Sequence, residues 1–221
     1  MSGSVTTIDL GFVNAYLVQA DGGHILVDTG VSMQWRKLDE RLRAAGCSRG
    51  GLRLVVLTHA DMDHAGNAAR VRDAYGAPVA AHAVDGDTLR TGERPPRTGQ
   101  SPAIGAAMRV MRLFGGSRVL FAPEVTLRDG DRLDSWGLAA RIIHLPGHTG
   151  GSIAVLTDEG DLVSGDACVN RDSPSASPYV ENRDQYAASI EKLRVLASKV
   201  RTVYPGHGAP FPGALLAGLT L

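Results

Sequence analysis

Short apolar segments of β-strand character recur along this chain, and most of them run directly into a turn rich in glycine and aspartate. The segments at 14–20 and 24–30, "NAYLVQA" and "HILVDTG", flank a hairpin turn signal at 21–23, "DGG". Helical patterns also occur, at about 33–45, 65–75 and 184–197. Two β-rich halves with added helices predict an α+β fold, in which two sheets are covered by helices.

The chain length indicates how many units to expect. The 221 residues fit one medium-sized domain with a substantial core, so we expect a single domain over residues 1–221. A segment at about 85–118 interrupts the series of short strands and helices. It contains the loop "GERPPRTGQSP", which is followed by a helical pattern from about Ser101 to Phe114. We expect this segment to be a cap-like insertion, whose apolar face either lines a substrate pocket or packs on the core.

Composition argues against several partner classes. The formal net charge is zero, so overall charge gives no reason to expect a nucleic-acid or membrane partner. No apolar run reaches membrane-spanning length, and "MSGSVTTIDL" lacks the features of an export signal. The two cysteines, Cys47 and Cys168, form neither a metal-binding pair nor a disulfide framework. We therefore expect a cytoplasmic protein that acts on a small-molecule substrate.

Histidine and aspartate side chains cluster at the ends of the expected strands. The stretch "THADMDHAGN" (58–67) places four of them within six residues, directly after an apolar strand. Three further glycine-containing turns, "LPGHTGGS", "SGDA" and "YPGHG", each add one more. The seven candidates are His59, Asp61, Asp63, His64, His148, Asp166 and His207. Imidazole and carboxylate groups suit zinc, iron and manganese, and seven ligands suffice for two ions that share a carboxylate.

These segments resemble, in the same order along the chain, those of the metallo-β-lactamase-fold hydrolases. "LTHADMDHAGN" is similar to the His-x-His-x-Asp-His signature of that family, and "NAYLVQADGGHILVDTG" is similar to its opening strands. The resemblance implies a four-layer αββα sandwich of two mixed β-sheets flanked by helices, with a dinuclear metal site at one edge. By that pattern one ion is held by His59, position 61 and His148, the other by Asp63, His64 and His207, and Asp166 bridges both.

Asp61 departs from the family pattern, which has a second histidine at this position. An aspartate reaches less far than a histidine and carries a negative charge, so the first ion must shift, change its ligand set or be lost. Three outcomes are open: an intact dinuclear site, a single iron held by His59, His148 and Asp166, and a weak or vacant first site. Zinc is the first expectation, and the added carboxylate also allows manganese or iron.

The resemblance and the expected metal site together predict hydrolysis of a small ester, thioester or lactone. In this reading a metal-bridging hydroxide attacks the carbonyl, and Asp63 orients the hydroxide and shuttles a proton as the catalytic residue. One alternative is a mononuclear iron oxygenase of a sulfur substrate, an activity that resembles that of the persulfide dioxygenases. The other is a degenerate fold that binds a ligand or partner without catalysis.

Several other residues admit both a functional and a structural interpretation. The resemblance places Asp28 near the ligands as a hydrogen-bond acceptor, and turn capping explains it equally well. For each of the remaining residues we expect a structural role in packing, capping or the surface: Thr58, His24, His82, His144, Thr149, Cys168, Tyr179 and Tyr186.

Overall fold

The computed structural model describes residues 3–93, 95 and 120–221. The helix expected at about 101–114 and most of the insertion expected at 85–118 lie outside the described residues. Within the described residues the chain forms two β-sheets, a small hairpin and several helices. Their arrangement determines where the candidate metal-binding turns lie.

The first sheet contains six strands from the N-terminal half of the described chain, in sequential order. The strands are β1 Val5–Asp9, β2 Asn14–Ala20, β3 Gly23–Val27, β4 Leu52–Val56, β5 Val79–His82 and β6 Val125–Leu127. Strands β1 to β3 pair in antiparallel fashion, and β3 to β6 pair in parallel. The turn signal at 21–23 does join β2 to β3, as the sequence predicts.

The second sheet is built from the C-terminal half and is also mixed. Its strands are β7 Ala140–His144, β8 Ile153–Thr157, β9 Asp161–Gly165, β12 Thr202–Pro205 and β13 Phe211–Pro212. Their order in the sheet is β13-β12-β9-β8-β7, and β12 pairs in parallel with β9. A separate two-stranded hairpin is formed by β10 Val169–Asn170 and β11 Pro174–Ser175. The short β13 could not be predicted, because two residues carry no periodic signal.

The described helices are α1 Trp35–Ala44, α2 Met62–Ala65, α3 Ala68–Tyr75, α4 Ala83–Thr91 and α5 Arg183–Leu196. Short 3₁₀ helices occur at Ser32–Gln34, Asp134–Trp136 and Gly213–Gly218. None of the helices in the described part of the chain is long and apolar enough to cross a membrane.

Two helix starts differ from the sequence-based expectation. The helix expected over 65–75 begins at Ala68, and a separate short helix, α2, precedes it because the chain breaks at Gly66 and Asn67. The strand β5 ends at His82, whose Nδ1 accepts a hydrogen bond from the Val84 amide and caps α4. Asp85, where the cap-like insertion was expected to begin, is therefore a helical residue.

Three hydrophobic clusters define four layers. The strand alternation of β2 sends Leu17 to one face, where it packs with Leu38 of α1 and Leu89 of α4. It sends Val18 to the other face, in the cluster that fills the space between the two sheets. A third cluster packs α5 on the outer face of the second sheet. The order helix, sheet, sheet, helix confirms the predicted αββα sandwich.

Substitution of Gly66 tests the packing that closes the α2–α3 break. A Cβ atom at this position would lie 2.7 Å from both the Gly30 carbonyl oxygen and the Ser32 amide nitrogen, which are rigid backbone atoms. We expect Gly66→Ala to lower the free energy of unfolding by about 1–3 kcal/mol in denaturant titrations. The control is Gly218→Ala, because nothing lies within 4 Å of a Cβ there. Equal stability of the two variants would contradict this account of the packing.

Candidate metal centre

The seven candidate residues all follow the C-terminal end of a strand. His59, Asp61, Asp63 and His64 follow β4, and the turns after β7, β9 and β12 carry the remaining three. The structure brings all seven together between the two sheets. The three groups whose ligand atoms lie within 4.8 Å of one another are His59–Asp61–His148, Asp63–His64–His207 and His59–His64–Asp166. The first two have the same members as the two ligand sets that the resemblance implied.

The four histidines share one orientation, with Nδ1 bound to the protein and Nε2 directed to the centre. The Nδ1 partners are Thr58 Oγ1 for His59 (3.0 Å), Asp28 Oδ2 for His64 (2.8 Å), the Tyr179 carbonyl for His148 (2.6 Å) and the Phe12 carbonyl for His207 (2.5 Å). A carbonyl or carboxylate can only accept, so Nδ1 of the last three carries a hydrogen, and Nε2 is the atom that can bind a metal ion once it has released any proton it holds. This is the arrangement that metal-binding histidines adopt.

The carboxylates occupy the space between the imidazole nitrogens. Asp61 Oδ2 lies 3.5 Å from Nε2 of His59 and 3.3 Å from Nε2 of His148, so the unusual aspartate reaches the centre. Asp166 approaches histidines of both groups, with Oδ2 3.6 Å from His148 Nε2 and 3.3 Å from His207 Nε2. Its position between the two groups is the one that a shared ligand requires.

Unsatisfied buried atoms indicate that these residues fit a cation. His59 Nε2, His64 Nε2 and Asp166 Oδ1 are buried without a well-formed hydrogen bond within the described part of the chain, although His64 Nε2 and Asp166 Oδ1 lie 3.3 Å apart. Leaving such atoms unpaired costs about 1–3 kcal/mol each, which a coordinated metal ion relieves. Gly206 makes room for them, because a Cβ there would overlap Asp166 Oδ1 and would lie 2.6 Å from His64 Cε1.

The electrostatics of the metal-free centre also favour positive charge. Burial alone would lower the pKa of His64, but the charges of Asp28, Asp166 and Asp63 raise it well above its ordinary value. Burial opposes a similar effect at His207, where hydrogen bonds with Asp166 and Asp63 raise the pKa to about 10. The carboxylates thus hold protons on the imidazoles, and a divalent cation would take the place of those protons on binding.

Asp28 both caps the turn and holds a candidate ligand. Its Oδ1 accepts a hydrogen bond from the Thr58 amide (2.8 Å), and its Oδ2 accepts from Thr58 Oγ1 (2.7 Å) and contacts His64 Nδ1. Its φ of 63° lies in the left-handed region, where aspartate is one of the few tolerated side chains. Both interpretations of Asp28 therefore hold, and Thr58 does more than cap the loop because it also contacts His59.

Two buried polar residues that support the centre were missed in the sequence. Asn14 Nδ2 donates to the carbonyls of Gly208 (2.7 Å) and Pro205 (3.2 Å), which flank His207. Asp85 is 2% exposed and accepts hydrogen bonds from the turns that carry His59 and His148. An asparagine inside an apolar strand is unfavourable, which is the signal that could have identified Asn14. Asp85 had no such signal, because its partners are far away in sequence.

Residues expected to have structural roles mostly do. His82 and His144 stack on each other, with ring centroids 4.1 Å apart, and His24 contacts Cys47 (3.6 Å). Cys168 is fully buried, and burial raises the pKa of its thiol to about 12. Its Sγ contacts Ser164 Oγ (3.4 Å) and belongs to none of the three ligand groups. Tyr186 is buried and its hydroxyl donates to the Ala167 carbonyl (2.8 Å), so packing explains it.

Comparison with known proteins identifies relatives along almost the whole chain. A family model described as the metallo-beta-lactamase superfamily matches residues 8–207. An uncharacterised protein of Mycobacterium leprae is 33% identical over 159 residues, which cover 70% of this chain and 68% of that protein. The acyl-coenzyme A thioesterase MBLAC2 of Gallus gallus is 27% identical over 217 residues, which cover 88% of this chain and 72% of that protein.

Solved structures share the fold. A metallo-beta-lactamase family protein of Thermus thermophilus superposes with a TM-score of 0.69 at 25% identity, covering 95% of this chain and 74% of that one. The B3 metallo-beta-lactamase BLEG-1 superposes with a TM-score of 0.71 at 23% identity, covering 96% and 95% of the two chains. These likenesses support the four-layer architecture.

Asp28→Asn tests whether Asp28 sets the orientation and tautomer of His64. An amide can place its NH₂ group against His64 Nδ1, which would favour a hydrogen on Nε2 and block coordination there. We expect metal affinity at the group formed by Asp63, His64 and His207 to fall about 10–100-fold, measured by calorimetric titration of metal-free protein. The control is Asp161→Asn, since buried Asp161 pairs with Arg201 instead. Unchanged affinity in Asp28→Asn would contradict this role.

Proposed function

We propose that this chain, which belongs to the metallo-beta-lactamase superfamily, is a metal-dependent hydrolase of a small ester, thioester or lactone. The observation that carries the proposal is the convergence of four imidazole Nε2 atoms and three carboxylates on one centre. Thioesters are the first substrate class to test, because MBLAC2 relatives from several vertebrates carry the name acyl-coenzyme A thioesterase.

The proposed site holds two divalent ions. His59, Asp61 and His148 bind the first, Asp63, His64 and His207 bind the second, and Asp166 contributes to both. The number of ligands supports two ions, because seven side chains exceed the four that a tetrahedral ion such as zinc takes. One ion among His59, His64 and Asp166, which also lie within 4.8 Å of one another, would leave the other four candidate ligands without a metal.

Asp63 is the residue that we assign to proton handling. When bound, the metal ions would supply an acidified water molecule and polarise the substrate carbonyl. The Asp63 side chain is 29% exposed, against 12% for Asp61 and 9% for Asp166, so it is the carboxylate most open to incoming water and substrate. One of its oxygens lies 3.4 Å from His207 Nε2, and the other can orient a water molecule and accept its proton.

Asp61 changes the charge of the proposed site. Two divalent ions against three carboxylates leave a net charge of about +1, whereas a histidine at position 61 would leave about +2. A less positive centre acidifies water less and favours harder ions, so manganese and iron compete better with zinc here than at a site richer in histidine. Zinc remains the first expectation, and the bound metal has to be measured.

An iron oxygenase is the second candidate, and the composition of the ligand groups favours it. The sequence-based alternative placed one iron on His59, His148 and Asp166. In the structure Asp61 also lies beside His59 and His148, so either carboxylate completes the set of two histidines and one carboxylate that non-haem iron oxygenases use. This candidate requires one iron and consumption of molecular oxygen, while the hydrolase requires neither. The metal content and the fate of oxygen therefore separate the two.

The function is tested on protein purified without chelators. We expect about two equivalents of metal by elemental analysis, and hydrolysis within a panel of acyl-coenzyme A thioesters, chromogenic esters and lactones. Chelation should abolish the hydrolysis, and added metal should restore it. One iron with substrate-dependent oxygen uptake would favour the oxygenase instead. Protein that retains no metal under any condition would favour a binding role without catalysis.

Asp63→Asn tests the assigned role in proton handling. The amide keeps the size and one acceptor oxygen of the side chain but cannot take up a proton, so we expect kcat to fall about 10²–10⁴-fold on the best substrate of the panel. Metal content should be measured in the same samples to separate chemistry from metal loss. Asp184→Asn, at the exposed start of α5, is the control and should retain full activity. An active, fully loaded Asp63→Asn variant would contradict the assignment.

Asp61→His tests the effect of the unusual aspartate on metal choice. The substitution places an imidazole next to His59 and His148 and replaces a hard oxygen ligand with a nitrogen ligand. We therefore expect the ratio of zinc affinity to manganese affinity to rise about tenfold or more. The measurement is competitive loading followed by elemental analysis. Asp73→His, on the exposed face of α3, controls for metal binding by an added surface histidine. An unchanged ratio would show that Asp61 does not influence metal choice.

A further inference from the structure

Asp85 is a buried carboxylate that lies outside the seven candidate ligands. It occupies the first turn of α4 and is 2% exposed. Its Oδ2 accepts hydrogen bonds from the Ala60 amide (2.7 Å) and from Thr149 Oγ1 (2.9 Å), and its Oδ1 accepts from the Gly151 amide (2.9 Å). One side chain therefore joins two turns that lie in different halves of the chain.

These hydrogen bonds connect the turns that carry the first ligand group. Ala60 lies between His59 and Asp61, and Thr149 directly follows His148. The hydrogen bonds described for Asp85 do not reach α2 or the turn after β12, where His64 and His207 of the second group lie. Asp85 is thus placed to fix the distance between the members of one group and not the other.

The packing around Asp85 makes this link rigid. A Cβ atom at Gly151 would overlap Asp85 Oδ1 and would lie 2.7 Å from the Asp85 amide nitrogen, so the turn approaches as closely as glycine allows. A Cβ at Gly150 would lie 3.1 Å from Val84 Cγ1, which shows that the same turn rests on the start of α4. Thr149 Oγ1 is also held by Ser152 Oγ at 2.8 Å.

We propose that Asp85 is a positioning residue for the first ligand group, holding His59 and Asp61 at the distance from His148 that one metal ion requires. This inference rests on the proposed metal site but not on the identity of the substrate. Supporting hydrogen bonds of this kind typically change metal affinity about 10–100-fold when they are removed.

Asp85→Asn is the informative substitution because it keeps the size of the side chain. Both carboxylate oxygens accept from N–H donors, so the NH₂ group of an asparagine must face either the Ala60 amide or the Gly151 amide, donor against donor. A backbone hydrogen bond from Ile153 to the Thr58 carbonyl (2.8 Å) still joins the two segments. The variant should therefore fold, with the spacing of the first group altered.

The experiment titrates metal-free protein with zinc and with cobalt. Calorimetry measures the binding of zinc, and the absorption bands of cobalt report its ligand geometry. Asp61→Ala and His207→Ala identify which binding event belongs to which group. We expect Asp85→Asn to lower the affinity of the first group, whose binding event is lost in Asp61→Ala, by about 10–100-fold. The affinity of the second group should stay within about twofold of wild type. The cobalt bands of the first group should change as well, which a merely structural role would not cause.

Two matched variants on α4 separate positioning from stability. Asp87→Asn makes the same chemical change on the exposed side of the helix and should leave both binding events unchanged. Leu89→Ala removes buried apolar volume on the same helix, so it should lower the thermal midpoint and leave both affinities in place. If Asp85→Asn does not fold, Thr149→Val, which removes one of the three hydrogen bonds, should give a smaller shift in the same direction.

The outcomes also separate this inference from the proposed function. The positioning role would be overturned if Asp85→Asn weakened both binding events equally, or if Leu89→Ala caused the same weakening. Unchanged metal binding in both Asp85→Asn and Thr149→Val would also overturn it. Wild-type protein that binds no metal would overturn the inference and the proposed site together. Selective weakening of the first event in a protein that hydrolyses nothing in the panel would support the inference and count against the proposed hydrolase.

Discussion

Three carboxylates and four imidazoles crowd into one largely buried volume, and the rest of the structure depends on balancing their charges. Asp61, Asp63 and Asp166 would repel one another strongly in this setting without positive charge between them. Protons on His64 and His207 provide that charge in the metal-free protein, since neighbouring carboxylates raise the pKa of both residues. The superfamily to which the chain belongs indicates divalent ions as the natural replacement.

The fold and the candidate ligands were accessible from sequence because both depend on local patterns. The near-continuous apolar run in "NAYLVQA" is typical of a strand buried on both faces, and β2 does send Leu17 and Val18 into different cores. The histidine and aspartate turns are recognisable because each follows an apolar run. The resemblance then supplied the order of the segments and the division into two groups, which spacing alone could not provide.

The supporting residues were not accessible in the same way. Asp85 is 25 residues from Ala60 and 64 residues from Thr149 along the chain. A hydrogen bond between residues so far apart in sequence produces no pattern that the sequence alone could reveal. The sequence also placed Asp85 at the start of the expected 85–118 insertion, whereas in the structure it lies in the first turn of α4. Asn14 differs, because a polar residue at the start of an otherwise buried strand has to be explained by a partner, here the carbonyls around His207.

The origin of the ligands in two separate sheets has a consequence for folding. The segment after β4 belongs to the first sheet, while His148, Asp166 and His207 follow strands of the second. An ion held by both sets would tether the two halves of the sandwich to each other, in the manner of a cross-link. Occupancy would then add to the cooperativity of unfolding, because the halves could separate only after the ion is released. Metal supply in the cell would in this way influence how much intact protein accumulates, in addition to its activity.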